Sequence, residues 1–289
     1  MYDIGPREWE AFKAHRASGA IDARGKTVEP DKRRQVKPGT VNLGLEALVM
    51  CFNWATMWRV NKRTVLDRSP IHKLPFLDDA NKQRSVWTYD RFLKILAAAE
   101  DLEMEVEWTG NRTRVPCHLA DVLVIVEGTG RRIGAVRQLR YADLLLSEGQ
   151  HGKVRWRADT DKTGKEWVTP ISPEVRARLL RVIRERPGLG DAPLFPAPRD
   201  PRKPVDDVTL RVYLRSAEKA AGVERLPHDS FHGLRRKFVT ERKHLPDVDV
   251  AAAGGWTETD SLKQCYQQAD EATMLQVVLS GGQLRESKR

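Results

Sequence analysis

Apolar residues in the first quarter of the chain follow a helical period. After Thr40 they recur at spacings of three and four, at Val41, Leu45, Leu48, Val49, Phe52 and Ala55. This spacing predicts an amphipathic helix that ends near Val60. A second short helical stretch is expected to end at Ser69-Pro70, because proline interrupts a helix. Residues 22–39 are charged and contain Pro and Gly but no apolar period, so they are predicted to form a loop.

A change in composition marks a domain boundary further along the chain. Residues 73–85 are rich in charge and contain proline, as interdomain linkers often are. After them, Thr88 is a helix-capping residue followed by an apolar face that includes Phe92 and Ile95. The sequence therefore predicts a helical domain over residues 1–75, a linker over 76–86 and a second domain over 87–289.

The second domain combines helical periods with one hairpin pattern. Residues 117–130, CHLADVLVIVEGTG, fit a buried helix or a buried strand, and their length favours the helix. Residues 153–172 contain two alternating runs around a Thr-Gly-Lys turn, the pattern of a β-hairpin. From Asp206 onward the period is helical again. The predicted fold class is mainly α with a small antiparallel β-sheet, an α+β arrangement.

The charge balance favours a polyanionic partner. Lysine and arginine outnumber aspartate and glutamate by 50 to 40, which gives a net charge of +10. Up to Arg84 the count is 16 basic to 10 acidic residues, so about +6 of this charge lies in less than a third of the chain. Such a distribution is typical of proteins that bind nucleic acid.

Several classes of protein are disfavoured by the same sequence. Its three cysteines, Cys51, Cys117 and Cys265, are scattered and form no CxxC pair, which argues against a disulfide framework or a zinc site. No signal peptide or membrane span is evident, and a cytoplasmic location is expected. The chain also contains neither the HExxH motif of metal sites nor the GxxxxGK[ST] motif of nucleotide sites.

Two basic motifs are candidates for binding a phosphate. GTGRRIG, residues 128–134, lacks the third position of a dinucleotide fingerprint, but its arginines follow glycines at the end of an apolar run. An arginine fork matches two phosphate oxygens. In FHGLRRKF, residues 231–238, His232 and Arg235 are three apart and share one face of a helix. Each motif alone is also compatible with solvated surface residues.

Four further positions carry reactive or aromatic groups, but nothing in their local sequence indicates reactivity. Lys162 and Lys165 lie at the predicted hairpin turn, where they are either solvated or able to donate a proton to a leaving group. Trp256 follows a glycine pair, and Tyr266 comes ten residues later. Taken alone, each of these aromatic residues is expected to be an ordinary core or surface residue without a functional role.

Taken in order, these motifs resemble the tyrosine recombinase, or phage integrase, family, and the resemblance spans nearly the whole chain. It implies the following catalytic residues: Arg132, Lys162 (with Lys165 as the second choice), His232, Arg235, Trp256 and the nucleophile Tyr266. Arg132 is matched through Thr129-Gly130-x-Arg132-Ile133. Residues 36–70 likewise resemble the family's helical core-binding domain.

The sequence departs from the family pattern at two places. An acidic residue commonly follows the first arginine by three positions, where this chain has Ala135. The tyrosine comes ten residues after Trp256, whereas nine is more usual, so one extra residue has to be accommodated before Tyr266. Neither departure removes a catalytic group.

The resemblance implies a site-specific recombinase that cleaves and rejoins double-stranded DNA through a 3′-phosphotyrosyl intermediate without metal or ATP. It also implies a homotetramer on paired sites, with an accessory DNA-bending protein left open. The apolar run from Met274 to Leu279 fits an element that docks on a neighbouring protomer, or an intramolecular helix. Two alternatives are a non-cleaving DNA-binding protein with a degenerate recombinase fold and a type IB topoisomerase-like enzyme.

Overall fold

The computed structural model describes residues 5–70, 76–78, 85–108, 111–161, 164–226, 230–267, 274–275 and 277–278. The chain divides into two compact units, residues 1–83 and residues 84–289. The predicted linker, residues 76–86, lies partly outside the described residues. In the described part of the chain, no helix is both long enough and apolar enough to span a membrane.

Most of the described regular structure is helical. The helices are α1 (Pro6–Ala17), α2 (Pro38–Met57), α3 (Tyr89–Glu100), α4 (Leu119–Thr129), α5 (Ile133–Val136), α6 (Pro173–Glu185), α7 (Asp207–Ala220), α8 (His232–Glu241), α9 (Asp247–Gly254) and α10 (Thr259–Cys265). The strands are β1 (Arg59–Val60), β2 (Arg63–Thr64), β3 (Glu103–Trp108), β4 (Asn111–Pro116), β5 (Leu144–Leu145), β6 (Lys153–Trp156) and β7 (Trp167–Pro170). All the strand pairs are antiparallel. The predicted mainly α fold with a small antiparallel sheet is confirmed.

The first unit has a small core between α1 and α2. Trp9 and Leu45 are buried there, and the Trp9 ring meets the Phe52 ring edge-on, with 6.2 Å between centroids. The side-chain amide of Asn42 holds the backbone of Leu77 through two hydrogen bonds of 2.8 and 2.9 Å. The apolar period after Thr40 therefore marks the buried face of α2, as predicted.

The prediction for the residues after α2 was wrong. The helix ends at Met57 rather than near Val60, and residues 59–64 form the β1–β2 hairpin instead of a short helical stretch. Asn61 and Lys62 both have positive φ, at 51° and 67°. Two left-handed residues make a two-residue hairpin turn, so local turn geometry prevails here over helical continuation.

The predicted hairpin after residue 153 is confirmed. Strand β6 pairs with β7 and places Trp156 opposite Trp167, while β5 adds a third strand at the other edge of β6. The β3–β4 hairpin was not predicted. Its first strand, EMEVEW, alternates glutamate with apolar residues, a pattern that favours a strand, whereas its second strand, NRTRVP, has no such alternation.

The second unit contains two separate apolar clusters. The larger is built mainly from α3, α4, α6, α7 and the three-stranded sheet, and it includes most of the buried apolar residues of α4. The smaller cluster joins the last three helices and contains Phe238, Val239, Val250, Ala251, Trp256 and Leu262. Residues of the candidate site lie where these two clusters adjoin.

Candidate active site

Arg235 lies at the centre of the site. It is 1% exposed on α8, and its Nη1 donates hydrogen bonds to the carbonyl oxygens of Gly130 and, at 2.6 Å, Gly254. Gly130 ends α4 and Gly254 ends α9. Because a buried guanidinium needs acceptors for its donors, these two helix ends fix its position.

Two aromatic side chains cover this guanidinium. Arg235 Cζ lies 3.3 Å from the centroid of the Trp256 ring and 5.4 Å from that of the Tyr266 ring. The two rings meet edge-on, with 4.9 Å between centroids. The last turn of α10 carries Tyr266, whose carbonyl oxygen accepts a hydrogen bond from Thr240 Oγ1 at 3.2 Å. The structure thus brings three of the predicted catalytic residues together.

Several hydrogen-bond donors in this cluster lack a partner among the described residues. Within the described part of the chain, Arg235 Nε and Nη2 and Trp256 Nε1 are buried and have no hydrogen-bond partner. An unsatisfied buried donor costs about 1–3 kcal/mol. A phosphate group carries several acceptor oxygens, which are the partners that such donors require.

The glycine pair before Trp256 makes the close packing feasible. A Cβ on Gly254 would lie 1.9 Å from the Trp256 ring, and a Cβ on Gly255 would lie 2.1 Å from Arg131 Nη1. Gly255 also has φ +73°, in the left-handed region. Both positions therefore exclude any side chain in this conformation.

Arg132 adds a second cation. Its side chain is 30% exposed, and its Nη1 lies 4.0 Å from Oδ1 of the buried Asp161. Burial, together with the smaller effect of the Arg132 charge, lowers the pKa of the Arg235 guanidinium to about 9, and Tyr266 acts in the opposite direction. Among the described residues, Asp161 is the acid that pairs with the arginines beside Arg235. It lies 4.0 Å from Nη1 of Arg131 and 4.0 Å from Nη1 of Arg132. The group thus carries excess positive charge, which an anion would offset.

His232 is the first residue of α8, one turn before Arg235, and its side chain is exposed. It lines a cavity of about 320 Å³ together with Arg211, Arg215 and Arg225. Glu218, which also lines the cavity, forms a buried ion pair with Arg91. The cavity is therefore basic.

The general acid is predicted to be Lys162 or Lys165. Lys162 lies outside the described residues, whereas Lys165 is described and exposed after the turn of the β6–β7 hairpin. The choice between the two lysines therefore stays a prediction.

Sequence reasoning missed two residues of this region. Arg131 occupies the unspecified position of the Thr129-Gly130-x-Arg132 motif, yet it is 1% exposed and bonded to α9. Asp161 lies within 4.0 Å of both Arg131 and Arg132. It supplies a carboxylate to the arginines, although position 135 is alanine. The doubled arginine was the only local signal, and nothing near Asp161 in sequence indicates its contact.

Residues 90–273 match the family model described as the phage integrase family. No curated protein matches the sequence. The matched region covers most of the chain and contains every predicted catalytic residue.

Solved structures share the fold at low sequence identity. A XerH site-specific recombinase bound to a palindromic difH substrate, in a post-cleavage complex, matches with TM-score 0.68 and 16% identity over 96% of this chain and 70% of that chain. The Tn1549 transposon integrase in complex with circular intermediate DNA gives 0.63 and 16% over 96% and 85%. A lambda integrase tetramer bound to a Holliday junction gives 0.57 and 19% over 93% and 67%.

The fold and the family model together define a tyrosine-type site-specific recombinase. The chain belongs to the phage integrase family, so the resemblance drawn from its motifs is confirmed.

Proposed function

We propose that Tyr266 is the nucleophile that cleaves DNA. Its oxygen attacks a backbone phosphorus, the bond from phosphorus to the 5′ oxygen breaks, and a 3′-phosphotyrosyl link with a free 5′-hydroxyl results. The link retains the phosphoester, so attack by a 5′-hydroxyl reverses the step and joins strands. The proposal is supported by the position of the Tyr266 ring beside the cationic group of Arg235.

The cations stabilise the charge that develops on the phosphate in the transition state. Arg132 and Arg235 supply guanidinium donors, and His232 either donates to the phosphate or accepts the phenol proton. Trp256 offers its indole N–H to a phosphate oxygen. The observation that carries this assignment is the set of buried donors without a partner on Arg235 and Trp256, beside Tyr266.

The leaving 5′ oxygen requires a proton. We assign its delivery to Lys162, with Lys165 as the second choice, because a lysine at a hairpin turn has the reach for this role. Neither a metal nor a nucleotide enters the scheme.

The test is to trap the intermediate. Duplexes enriched from a random pool by binding to this protein would be nicked near the cleavage position, so that the short 5′-hydroxyl fragment diffuses away. We expect a covalent complex that survives SDS, forms in the presence of EDTA, and carries its nucleotide on Tyr266 when peptides are mapped by mass spectrometry.

Other outcomes identify the alternatives. Binding without any adduct would favour a protein that holds DNA without cutting it. An adduct on another tyrosine, such as the exposed Tyr89, would refute the assignment of Tyr266. Relaxation of supercoiled DNA that needs no paired sites would indicate a topoisomerase.

We propose that the basic cavity beside His232 contacts the DNA backbone. Arg215 and Arg225 are exposed and have no ion-pair partner among the described residues. Each phosphate contact releases about one counterion from DNA, so each contact steepens the salt dependence of binding.

Replacing either arginine is therefore expected to flatten that dependence. Arg215→Ala and Arg225→Ala should each reduce the slope of log K against log salt by about 1. The slope is measured by fluorescence anisotropy on a fixed duplex. Lys94→Ala is the control, since Lys94 is exposed on α3 and paired with Asp90 at 2.9 Å. Equal slopes for all three variants would contradict the contact.

We propose that the recombinase acts as a homotetramer on paired sites, located in the cytoplasm. The lambda integrase relative was solved as a tetramer on a Holliday junction. In the apolar run from Met274 to Leu279, the side chains described, at positions 274, 275, 277 and 278, are all exposed. Exposed apolar groups in sequence favour a docking element. An accessory DNA-bending protein stays an open prediction.

A further inference from the structure

Arg131 joins three of the motifs that define the site, although the family pattern leaves its position unspecified. Its guanidinium lies between the ends of two elements that are far apart in sequence: the β6–β7 hairpin and the carboxyl end of α9. It also immediately precedes Arg132. The side chain is 1% exposed, so the surrounding elements enclose it.

The contacts with α9 are hydrogen bonds. Arg131 Nε donates to the carbonyl oxygen of Ala253 at 2.9 Å, and Nη2 donates to that of Ala252 at 3.1 Å. These carbonyls belong to the last turn of the helix, where acceptors lack intrahelical partners and a cation is favoured. Gly255, which follows this turn, leaves room for the guanidinium. Arg131 therefore fixes the turn that carries Trp256.

The contacts with the hairpin are of a different kind. Arg131 Cζ lies 5.1 Å from the Trp156 ring centroid and 5.5 Å from that of Trp167. These tryptophans are the last described cross-strand pair before the turn. Asp161, which follows β6, lies 4.0 Å from Arg131 Nη1. The cation thus contacts the strands at the point where the turn begins.

These contacts occupy most of the Arg131 guanidinium, and the remaining nitrogen, Nη1, has no hydrogen-bond partner among the described residues but lies 4.0 Å from Asp161. Two indole rings flank the guanidinium, and two of its nitrogens are bonded to backbone carbonyls. Its charge faces Asp161 as well as the neighbouring Arg132. A residue enclosed in this way orients others, whereas Arg132, at 30% side-chain exposure, is accessible to a phosphate.

We propose that Arg131 is a positioning residue that holds the β6–β7 hairpin against the Arg132 and Trp256 segments, so that the hairpin delivers the proton to the leaving 5′ oxygen. This inference rests on the proposed function. The connection between β6 and β7 contains both candidate lysines, and a general acid must lie within hydrogen-bond reach of the oxygen that it protonates. Loosening the hairpin should therefore impair proton delivery more than attack.

A change of leaving atom tests this role. Two trapping duplexes are compared that differ only in the bridging 5′ atom, oxygen or sulfur, because a thiolate departs without a proton. We expect Arg131→Met to slow cleavage of the oxygen duplex by about 10- to 100-fold and that of the sulfur duplex by less than about threefold. Arg131→Lys, which keeps the charge but not the fork, should give an intermediate result on oxygen.

Controls separate this effect from general damage. Lys162→Ala and Lys165→Ala are tested on both duplexes. The lysine variant that cleaves the sulfur duplex but not the oxygen duplex identifies the general acid, and its ratio of the two rates is the reference for Arg131→Met. Arg178→Met removes an arginine on α6 that is paired with Glu100 and Asp121, and it should cleave both duplexes at the original rate.

The inference is overturned if Arg131→Met cleaves the oxygen duplex normally or loses equal activity on both duplexes. Equal loss would mean that the residue acts through the fold or through Arg132. If the unsubstituted protein forms no adduct with either duplex, the proposed function itself fails. In that case no adduct forms at all. If only the inference fails, the unsubstituted protein still forms an adduct, and Arg131→Met loses the same activity on both duplexes.

Discussion

Arg235→Lys is expected to lower the rate of DNA cleavage by about 10²- to 10³-fold, the usual effect of removing one preorganised donor from a site of developing negative charge. The Arg235 guanidinium bonds through Nη1 to Gly130 and Gly254, and its other nitrogens are left for a phosphate. An ammonium group is a point charge without the planar fork, so it cannot reproduce both sets of contacts. The rate is measured in single turnover on the trapping duplex with saturating protein.

Arg236→Lys is the matched control for this prediction. Arg236 is the next residue of α8 and is 6% exposed, but its Nε donates to the carbonyl oxygen of Ser85 at 2.5 Å. We expect it to lower the melting temperature while leaving the rate per folded molecule within about threefold. The assignment of Arg235 would fail if the two variants lost activity to the same extent at equal stability.

Gly255→Ala is expected to destabilise the protein by about 3 kcal/mol or more and to impair cleavage in the molecules that still fold. Left-handed backbone alone costs a non-glycine residue about 1–2 kcal/mol. The added Cβ would also lie 2.1 Å from Arg131 Nη1. Relief of this contact requires movement of the guanidinium or of the turn before Trp256. The free energy of unfolding is measured by urea denaturation.

Gly222→Ala measures the backbone part of this effect alone. Gly222 also has positive φ, +62°, but a Cβ there would meet nothing within 4 Å. It should therefore cost only about 1–2 kcal/mol and leave cleavage unchanged. If the two substitutions were equally costly, the contact with Arg131 would have no energetic consequence.

The elements with a regular apolar period could be predicted from the sequence. The buried face of α2, the Thr88 cap of α3 and the β6–β7 hairpin were all predicted. The β1–β2 hairpin was missed because it depends on left-handed conformations of Asn61 and Lys62. A lysine in that conformation is rare, so composition gave no indication of it.

Only some of the site residues could be predicted from the sequence. Motif order indicated Arg235, Trp256 and Tyr266, which the structure brings together. The contacts of Arg131 with Trp156 and of Arg132 with Asp161 could not be predicted. They join residues 25 and 29 positions apart, and such contacts depend on how a hairpin packs on a helix end rather than on local pattern.

The small size of the second apolar cluster affects which segment of the site unfolds first. Tyr266 packs against this cluster of six buried residues, whereas the Arg132 segment follows α4, whose apolar face belongs to the larger core. Because local opening is easiest where little apolar surface is buried, the segment that carries the nucleophile should detach at lower temperature than the segment that carries Arg132. A partly heated molecule is therefore expected to lose the ability to start new cuts while the segment that carries Arg132 is still in place.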